Sequence, residues 1–301
     1  MRRLCTLRFH VLVMVALSIS ARLNAIPAEW TTPFPAFHIA GNLYYVGSKE
    51  LAAYLIVTPK GNILINSDME ANVPLIRQGI ESLGFRFSDT KILLISHAHY
   101  DHCGGSAEIK RLTGARYMVM DADVPVVEAG GGNDFHFSGD PSMYFTPTKV
   151  DKVLRDGETV RLGAAVLTAH KTAGHTMGTT TWTMDEEEFG PSGIEGAEGR
   201  RLLHVVIIGS TSLNSGYKLV GNRTYPQIAS DYQHSFDVLR ALPCDVFLGA
   251  HGVSFGLIEK YERFRNGQAD AFIDAAGYKS SVEESERVFQ EELNRQLAAK
   301  H

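Results

Sequence analysis

Four side chains that can bind a metal ion lie within one six-residue stretch of the sequence, His97–His102. The stretch comes directly after Ile92–Ile95, an apolar run that predicts a buried strand. Imidazole nitrogens combined with a carboxylate are ligands that suit zinc. We therefore predict a metal site at the end of this strand.

The spacing of these side chains predicts two metal positions. In an extended chain alternate side chains point the same way, so His97 and His99 can bind one ion. A turn after Tyr100 can direct Asp101 and His102 toward a second ion. The alternative is a chance cluster of core or surface histidines, which is the better interpretation for a lone histidine.

Two further histidines complete the set of ligands. His175 follows the strand-like segment 165–169, and His251 follows the strand-like segment 245–248, each beside a glycine. Six ligands form two sites of three. Three protein ligands leave one coordination position for water, which is the geometry of a catalytic zinc rather than of a structural one. The sequence therefore predicts hydrolytic chemistry.

The first 25 residues have the pattern of a secretory signal peptide. They begin with Arg2 and Arg3, continue with an apolar stretch of about eight residues, and end with Leu23-Asn24-Ala25. That stretch is too short for a permanent membrane-spanning helix. We expect residues 1–25 to be removed and residues 26–301 to be exported to the periplasm without a stable membrane anchor. An N-terminal anchor is the alternative.

Composition limits the partners and the number of domains. Loss of residues 1–25 would change the formal net charge from −5 to −9, because the segment contains four arginines and no acidic residue. Nucleic acid is not an expected partner of so acidic a protein. The remaining chain has no linker rich in proline or serine. We therefore predict a single domain over residues 26–301 and a monomer.

Two cysteines remain after residue 25, Cys103 and Cys244. Cys103 adjoins the ligand His102, whereas Cys244 precedes the strand that ends at His251. The two should lie about a strand length apart, so we expect no disulfide between them. Cys103 as a further zinc ligand is an alternative, although a small buried cysteine is common beside tight backbone.

Apolar runs and helical spacing predict the elements that position the ligands. In the first half we expect strands at 43–46, 53–57 and 63–65. A helix that ends at Gly84 follows, with apolar residues at helical spacing: Val73, Ile76, Ile80 and Leu83.

The second half of the sequence also contains apolar runs and helical spacing, in a different order. Strands are expected near 165–169, 179–184 and 203–208. They are followed by a helix with three apolar positions on one face: Tyr232, Phe236 and Leu239. Two mixed halves that meet along their sheet faces would bring every ligand to one rim.

The tail from Ser281 is predicted to be a C-terminal packing helix. Ser281 and Glu284 have the spacing of a capping box, and Phe289, Leu293 and Leu297 recur at helical spacing. A membrane-binding amphipathic helix is the alternative, but the polar face mixes glutamate with arginine instead of being basic.

Two loops are expected between these elements. Glu128–Pro147 holds three consecutive glycines and four aromatic residues, so it is either a mobile loop that covers a substrate or a plain surface loop. Asp185–Arg201, with three consecutive glutamates and several glycines, is predicted to be a solvated connection between strands without a chemical role.

The order of the ligands resembles that of the metallo-β-lactamase superfamily. Its HxHxDH signature matches His97–His102, and the later histidines match as well, the first within Gly174-His175-Thr176. The chain looks most like the class B β-lactamases of the third subclass, to which Gly216-Tyr217-Lys218-Leu219 is also similar. The resemblance implies an α/β fold, the four-layered αβ/βα sandwich.

The resemblance also implies how the ligands are divided between two Zn²⁺ ions. The first ion would take three histidines and the second an aspartate and two histidines: His97, His99 and His175, then Asp101, His102 and His251. A hydroxide held between the ions and oriented by Asp101 would attack the lactam carbonyl of penicillins, cephalosporins and carbapenems. The implied biological role is antibiotic resistance.

Residues after the strand at 205–208 bear on the substrate. Hydroxyacylglutathione hydrolases place a metal-bridging aspartate there, where this chain has Gly209-Ser210-Thr211. The first lactamase subclass would carry a cysteine ligand in this region, and this chain has none near it. Serines that often bind the substrate carboxylate in the third subclass match Thr211 and Leu213. Leu213 is apolar, so the neighbouring Asn214 is the better candidate there. We therefore name Thr211 and Asn214 as candidate substrate contacts.

Two rival functions remain open. A lactonase or thioesterase of the same superfamily would use the same zinc ions on a different acyl bond. A zinc-sequestering or substrate-binding protein would catalyse no reaction, which the open coordination position argues against. His170 is interpreted as a histidine at a strand end that does not bind metal.

Overall fold

The computed structural model describes residues 26–189 and 200–300. The signal peptide predicted for residues 1–25 lies outside the described residues. The strands of the first sheet are β1 (Phe37–Ala40), β2 (Leu43–Tyr45), β3 (Tyr54–Thr58), β4 (Gly61–Ile65), β5 (Thr90–Leu94), β6 (Arg116–Met120) and β7 (Lys152–Leu154). The strands of the second sheet are β8 (Thr159–Leu162), β9 (Ala165–Lys171), β10 (Thr180–Phe189), β11 (Arg200–Ile208) and β12 (Val246–Gly249).

The helices lie between and after these strands. They are α1 (Val73–Ser82), α2 (Tyr100–Cys103), α3 (Ser106–Thr113), α4 (Val124–Glu128), α5 (Ile228–Ala241), α6 (Leu257–Arg265) and α7 (Ala275–Ala298). No helix among the described residues is both long and apolar enough to cross a bilayer.

The seven strands of the first sheet are adjacent in chain order. Strands β1 to β4 pair antiparallel, as short hairpins allow, and β4 to β7 pair parallel. Parallel neighbours need a crossover connection, which α1 supplies between β4 and β5 and which α2 and α3 supply between β5 and β6. In the second sheet the order is β12-β11-β10-β9-β8, with only β11 and β12 parallel.

Both faces of the first sheet are buried, because successive apolar side chains along a strand pack into two different clusters. Ile63 and Ile65 of β4 belong to the apolar cluster between the sheets, whereas Leu64 belongs to the cluster that packs on α1. Successive side chains of a strand point to opposite faces, so a continuous apolar run is what two covered faces require. The second sheet is covered by α5 and α7, whose apolar side chains extend the cluster between the sheets. The molecule therefore has four layers, helix, sheet, sheet and helix, as the family resemblance implied.

The two sheets are joined at one rim. The backbone N–H of Thr180, the first residue of β10, donates to Ser96 O (2.7 Å). Two residues further along the strand, the indole N–H of the fully buried Trp182 donates to Ile95 O (3.0 Å). These two hydrogen bonds hold the chain that leaves β5 against the second sheet just before the first predicted ligand.

Two boundaries from the sequence are wrong. The segment predicted to be a solvated connection from Asp185 instead continues β10 as far as Phe189, and β11 already begins at Arg200. The intervening residues 190–199 lie outside the described residues. The C-terminal helix begins at Ala275 rather than at Ser281, because the Asp274 carboxylate accepts a hydrogen bond from Gly277 N (2.8 Å) and caps it there.

Helix α7 packs on the second sheet through α5. The ring of Phe289, which is fully buried, stacks on Tyr232 at 5.3 Å between centroids and lies 5.7 Å from Phe236. Near the other end of the interface, Tyr278 OH donates to Leu239 O (2.6 Å). The aromatic cluster fixes α5, which in turn contacts the segment that carries one of the predicted ligands.

We predict that Phe289→Ala lowers the free energy of unfolding by about 3–5 kcal/mol, because it leaves a cavity in a closely packed aromatic cluster. Urea denaturation followed by far-UV circular dichroism measures the change. The neighbouring Val288 is 43% exposed, and Val288→Ala should change the value by less than about 0.5 kcal/mol. Equal effects of the two substitutions would show that α7 does not contribute to the core.

Candidate metal centre

Three strand ends deliver the six predicted ligands to the same rim. The first four follow β5, with Asp101 and His102 on the helical turn α2. His175 lies on the connection between β9 and β10. His251 follows β12 and forms an isolated antiparallel bridge with Leu51, which lies between β2 and β3.

The three histidines predicted for the first ion form a buried cluster. One ring nitrogen of each lies within 4.8 Å of those of the other two. The ring centroids are 4.9 Å apart for His97 and His99, 4.5 Å for His97 and His175, and 4.7 Å for His99 and His175, all nearly edge to face. Nitrogens converge on one point in such an arrangement, as coordination of a single ion requires.

The second set is more compact. Asp101 Oδ2 lies 3.2 Å from His102 Nε2 and 3.4 Å from His251 Nε2, and the two nitrogens are 3.0 Å apart. Ligands bound tetrahedrally at 2.0–2.2 Å from a zinc ion are separated by about 3.3–3.6 Å. The three atoms lie within a few tenths of an ångström of these separations, so small shifts would fit them to one zinc ion. His97 is also within 4.8 Å of Asp101 and His102, so the two sets adjoin.

The nitrogen of each imidazole that faces away from the cluster is in most cases occupied by a neighbouring group. His97 Nδ1 contacts Ser96 Oγ (3.2 Å), and His251 Nδ1 lies 3.4 Å from Glu50 Oε1. His175 Nδ1 donates to Ser212 O (2.9 Å). These contacts leave Nε2 of His97, His175 and His251 for the metal, because one nitrogen of a neutral imidazole carries the proton and the other the lone pair.

A buried carboxylate ties the ligand-bearing segments together. Asp123, 1% exposed, accepts hydrogen bonds from Ala98 N (2.9 Å), from Thr176 Oγ1 (2.8 Å) and from Gly178 N (2.8 Å). One side chain thus fixes the backbone beside His97, His99 and His175. No metal-ligand motif includes this aspartate, and sequence reasoning missed it.

The residue before His175 must be glycine. Gly174 has a φ of +140°, and a Cβ there would lie 2.6 Å from the ring of Tyr232. Tyr232 OH donates to Ser212 O (2.7 Å), the same carbonyl that accepts from His175. Packing of α5 therefore sets the position of this ligand.

Burial and charge prepare the ligands for a cation. Burial, reinforced by the neighbouring imidazoles, holds the pKa of His97 and of His175 well below the usual range, so both are neutral at pH 7. Burial alone would raise the pKa of Asp101, but His102 and His251 hold it well below its usual value. Burial alone would lower the pKa of His251, but Asp101 and Glu50 raise it to about 9. A metal ion would displace that proton.

Three further candidates can now be placed. Thr211 borders a cavity of about 230 Å³ beside His251, and its hydroxyl donates to Ser285 Oγ of α7 (2.9 Å). Asn214 Nδ2 donates to Tyr217 OH (3.1 Å), which in turn donates to His175 O (2.7 Å). His170 Nε2 lies 2.9 Å from Thr183 Oγ1, away from the clustered ligands.

Neither cysteine of the described chain takes part in the centre. Cys103 is buried and Cys244 half-buried, and both are free. Within the described residues, the groups that could hold a metal contain histidine and aspartate only. Burial raises the pKa of the Cys103 thiol well above its usual value, so it is a poor metal ligand.

The loop Glu128–Pro147 lies against the centre. The Phe137 ring is 5.2 Å from the ring of His99, and Phe135 packs edge to face on Tyr217 at 5.1 Å. Asp134 in the same loop is 3% exposed. The loop therefore contacts a predicted ligand, and its role as a mobile cover for a substrate stays a prediction.

We predict that Asp123→Ala costs about 3 kcal/mol or more of unfolding free energy, since it leaves buried donors unpaired at about 1–3 kcal/mol each. Urea denaturation measures the loss. The control is Asp121→Ala two residues earlier, where a partly exposed carboxylate pairs with Lys171 and the cost should be below about 1 kcal/mol. Equal losses in the two variants would contradict the bridging role of Asp123.

Solved structures of known enzymes share this architecture. The chain is similar to the native FEZ-1 metallo-β-lactamase from Legionella gormanii, at 56% identity and a TM-score of 0.84, over 88% of this chain and 98% of that one. It is also similar to BJP-1, a subclass B3 metallo-β-lactamase of Bradyrhizobium japonicum, at 33% identity and a TM-score of 0.80, over 91% and 99% of the two chains.

Curated relatives match more weakly. A hydroxyacylglutathione hydrolase of Bradyrhizobium sp. (strain ORS 278) is 27% identical over 135 residues, which are 45% of this chain and 44% of the relative. The chain thus spans less than half the length of this relative. The sequence model of the metallo-β-lactamase superfamily matches residues 52–251, which include all six predicted ligands. The chain belongs to the metallo-β-lactamase superfamily, and its structural neighbours include subclass B3 enzymes, as the ligand order predicted.

Proposed function

We propose that this protein is a zinc-dependent β-lactamase that binds two Zn²⁺ ions and hydrolyses the amide bond of penicillins, cephalosporins and carbapenems. The observation that carries the proposal is the pair of adjoining three-ligand sets at one rim. The 56% identity to the Legionella gormanii enzyme, over nearly all of that chain, supports the choice of substrate.

The residues of the two sets have distinct roles in this proposal. His97, His99 and His175 would hold the first ion as neutral ligands, and Asp101, His102 and His251 the second. When bound, zinc lowers the pKa of a coordinated water to about 7 and polarises a carbonyl oxygen. Asp101 is the only carboxylate of the six ligands, and its free oxygen can accept a proton or a hydrogen bond from the attacking water. His97, His99 and His175 would bind as neutral imidazoles and so would not offset the positive charge of the first ion.

Residues around the centre would position the substrate. Asn214 lies beside Tyr217, whose hydroxyl is bonded to the backbone of His175. Thr211 borders the cavity next to His251. We therefore retain Thr211 and Asn214 as proposed contacts for the substrate, with the aromatic loop Glu128–Pro147 as the apolar wall opposite.

A thioesterase acting on hydroxyacylglutathione is the second candidate, because the curated relatives carry that name. One feature argues against it. At the position after Gly209, where those enzymes place an aspartate, this chain has Ser210, whose hydroxyl bonds to Ser212 Oγ (3.1 Å) and Ser212 N (3.3 Å). A hydroxyl with local hydrogen bonds is a poor substitute for a carboxylate between two ions.

The decisive experiment is an assay of the purified protein against a penicillin, a cephalosporin, a carbapenem, a lactone and a hydroxyacylglutathione thioester, with and without a zinc chelator. Lactam hydrolysis that the chelator abolishes is the expected result. Activity on the thioester or the lactone alone would overturn the proposed substrate while keeping the metal chemistry. Metal binding without any turnover would favour a sequestering protein.

We predict that Asp101→Ala reduces kcat for the lactam at least about 100-fold, because a lost ligand should cost no less than the 10–100-fold of a lost supporting residue. Bound zinc should fall from two ions to one, as measured by elemental analysis after dialysis. The control is Asp185→Ala, which removes an exposed carboxylate from β10. Near-normal turnover with one zinc bound would contradict the assigned roles.

We also propose export to the periplasm after removal of residues 1–25, a monomeric state, and a role in antibiotic resistance. Mass spectrometry of the protein from a periplasmic extract would give the mature N-terminus. Light scattering would give the oligomeric state. A protein that retains residues 1–25 in the membrane fraction would argue for an anchor instead.

A further inference from the structure

His99 differs from His97 and His175, the other two ligands of the first set, in the surroundings of its outer nitrogen, the ring nitrogen that faces away from the cluster. Its side chain is 6% exposed, and its Nε2 is a buried atom without a hydrogen-bond partner in the described part of the chain. The nearest ionic group is Asp134 Oδ2, at 3.7 Å. A buried N–H without an acceptor is costly. The nearby carboxylate of Asp134 is the group that can accept this missing hydrogen bond.

Asp134 is held with one oxygen aimed at this histidine. Its Oδ1 accepts hydrogen bonds from His136 N (2.8 Å) and Phe137 N (2.7 Å), which fix the carboxylate to its own loop. The side chain is 3% exposed, so its other oxygen has little access to water. A buried carboxylate oxygen needs a donor, and His99 Nε2 is at hand.

We propose that Asp134 is a positioning residue for the first metal ion, accepting a hydrogen bond from His99 Nε2–H. The bond would close from 3.7 Å to about 3.0 Å. It would hold the proton on Nε2, leave the lone pair on Nδ1, and so aim Nδ1 at the ion bound by His97 and His175. Carboxylates that accept from the outer nitrogen of a metal-binding histidine fix its tautomer and its orientation.

The ligand set of the second ion contains a similar pair of a carboxylate and a histidine. Glu50 Oε1 lies 3.4 Å from His251 Nδ1, so Glu50 stands to His251 as Asp134 stands to His99. The remaining two histidines of the first set rely on uncharged groups, Ser96 and the Ser212 carbonyl. Each ion would thus have one histidine supported by a carboxylate.

The position of Asp134 also links the aromatic loop to the metal. Asp134 and Phe137 lie in the same turn of the loop, and both contact the His99 side chain. The carboxylate–imidazole bond would therefore tie the loop to a ligand of the first ion. The inference rests on the proposed two-zinc centre.

The test is zinc binding by Asp134→Asn, measured by competition with a chromophoric chelator. Asparagine keeps an oxygen for the two backbone N–H donors but presents an N–H₂ group to His99 Nε2–H, which cannot accept a hydrogen bond. We expect the Kd of one zinc ion to rise about 10–100-fold and that of the other to change little. The control Glu50→Gln should weaken the other ion instead, and the double variant should weaken both.

A second measurement needs no variant. In the zinc-loaded wild-type protein, ¹⁵N NMR of the histidine side chains should show His99 protonated at Nε2 and metal-bound at Nδ1. Asp134→Asn with wild-type affinity for both ions, or a wild-type His99 protonated at Nδ1, would overturn the inference alone. A wild-type protein that binds fewer than two zinc ions would overturn the proposed function and the inference together.

Discussion

The structure depends on the joint between its two sheets at a single rim. The hydrogen bonds from Thr180 and Trp182 of β10 to the backbone just before His97 bring the ends of strands from both sheets together. Without that joint, His175 and the ligands after β5 would belong to separate surfaces. Because the contacts come from backbone and indole groups, they fix the meeting point while leaving the ligand side chains free.

Burying so many polar groups at one rim costs free energy. Hydrogen bonds and charges within the rim itself offset this cost. Asp123 satisfies three donors of the ligand-bearing segments at once. His97 and His175 stay neutral because burial disfavours their charged form, which also keeps their lone pairs available. Asp101 keeps its negative charge through contact with two histidines, and one of these, His251, keeps a proton through contact with Asp101 and Glu50. Such a centre is stable when a cation replaces the protons that these groups share.

The ligands were predictable from sequence, but much of their support was not. His97–His102, His175 and His251 could be found because a metal centre requires particular side chains at strand ends, and both properties are local. The bonds of Asp123 span 25 to 55 residues, and no periodicity records them. The length of β10 was underestimated because charged residues at Asp185 and Glu186 suggested solvent, although they continue the hairpin with β11. The start of α7 was misplaced because Ser281 and Glu284 resemble a cap, whereas Asp274 supplies one earlier.

The end of α7 has a consequence for the support of the third histidine. The amide of Gln296 accepts from Leu219 N (2.7 Å) and Val220 N (3.1 Å) and donates to Tyr217 O (2.8 Å). Tyr217 in turn holds the backbone of His175. A chain without the last turns of α7 would therefore keep all six ligands but lose hydrogen bonds that support the segment beside the third histidine. The support of the centre thus extends to the C-terminal helix, which carries none of its ligands.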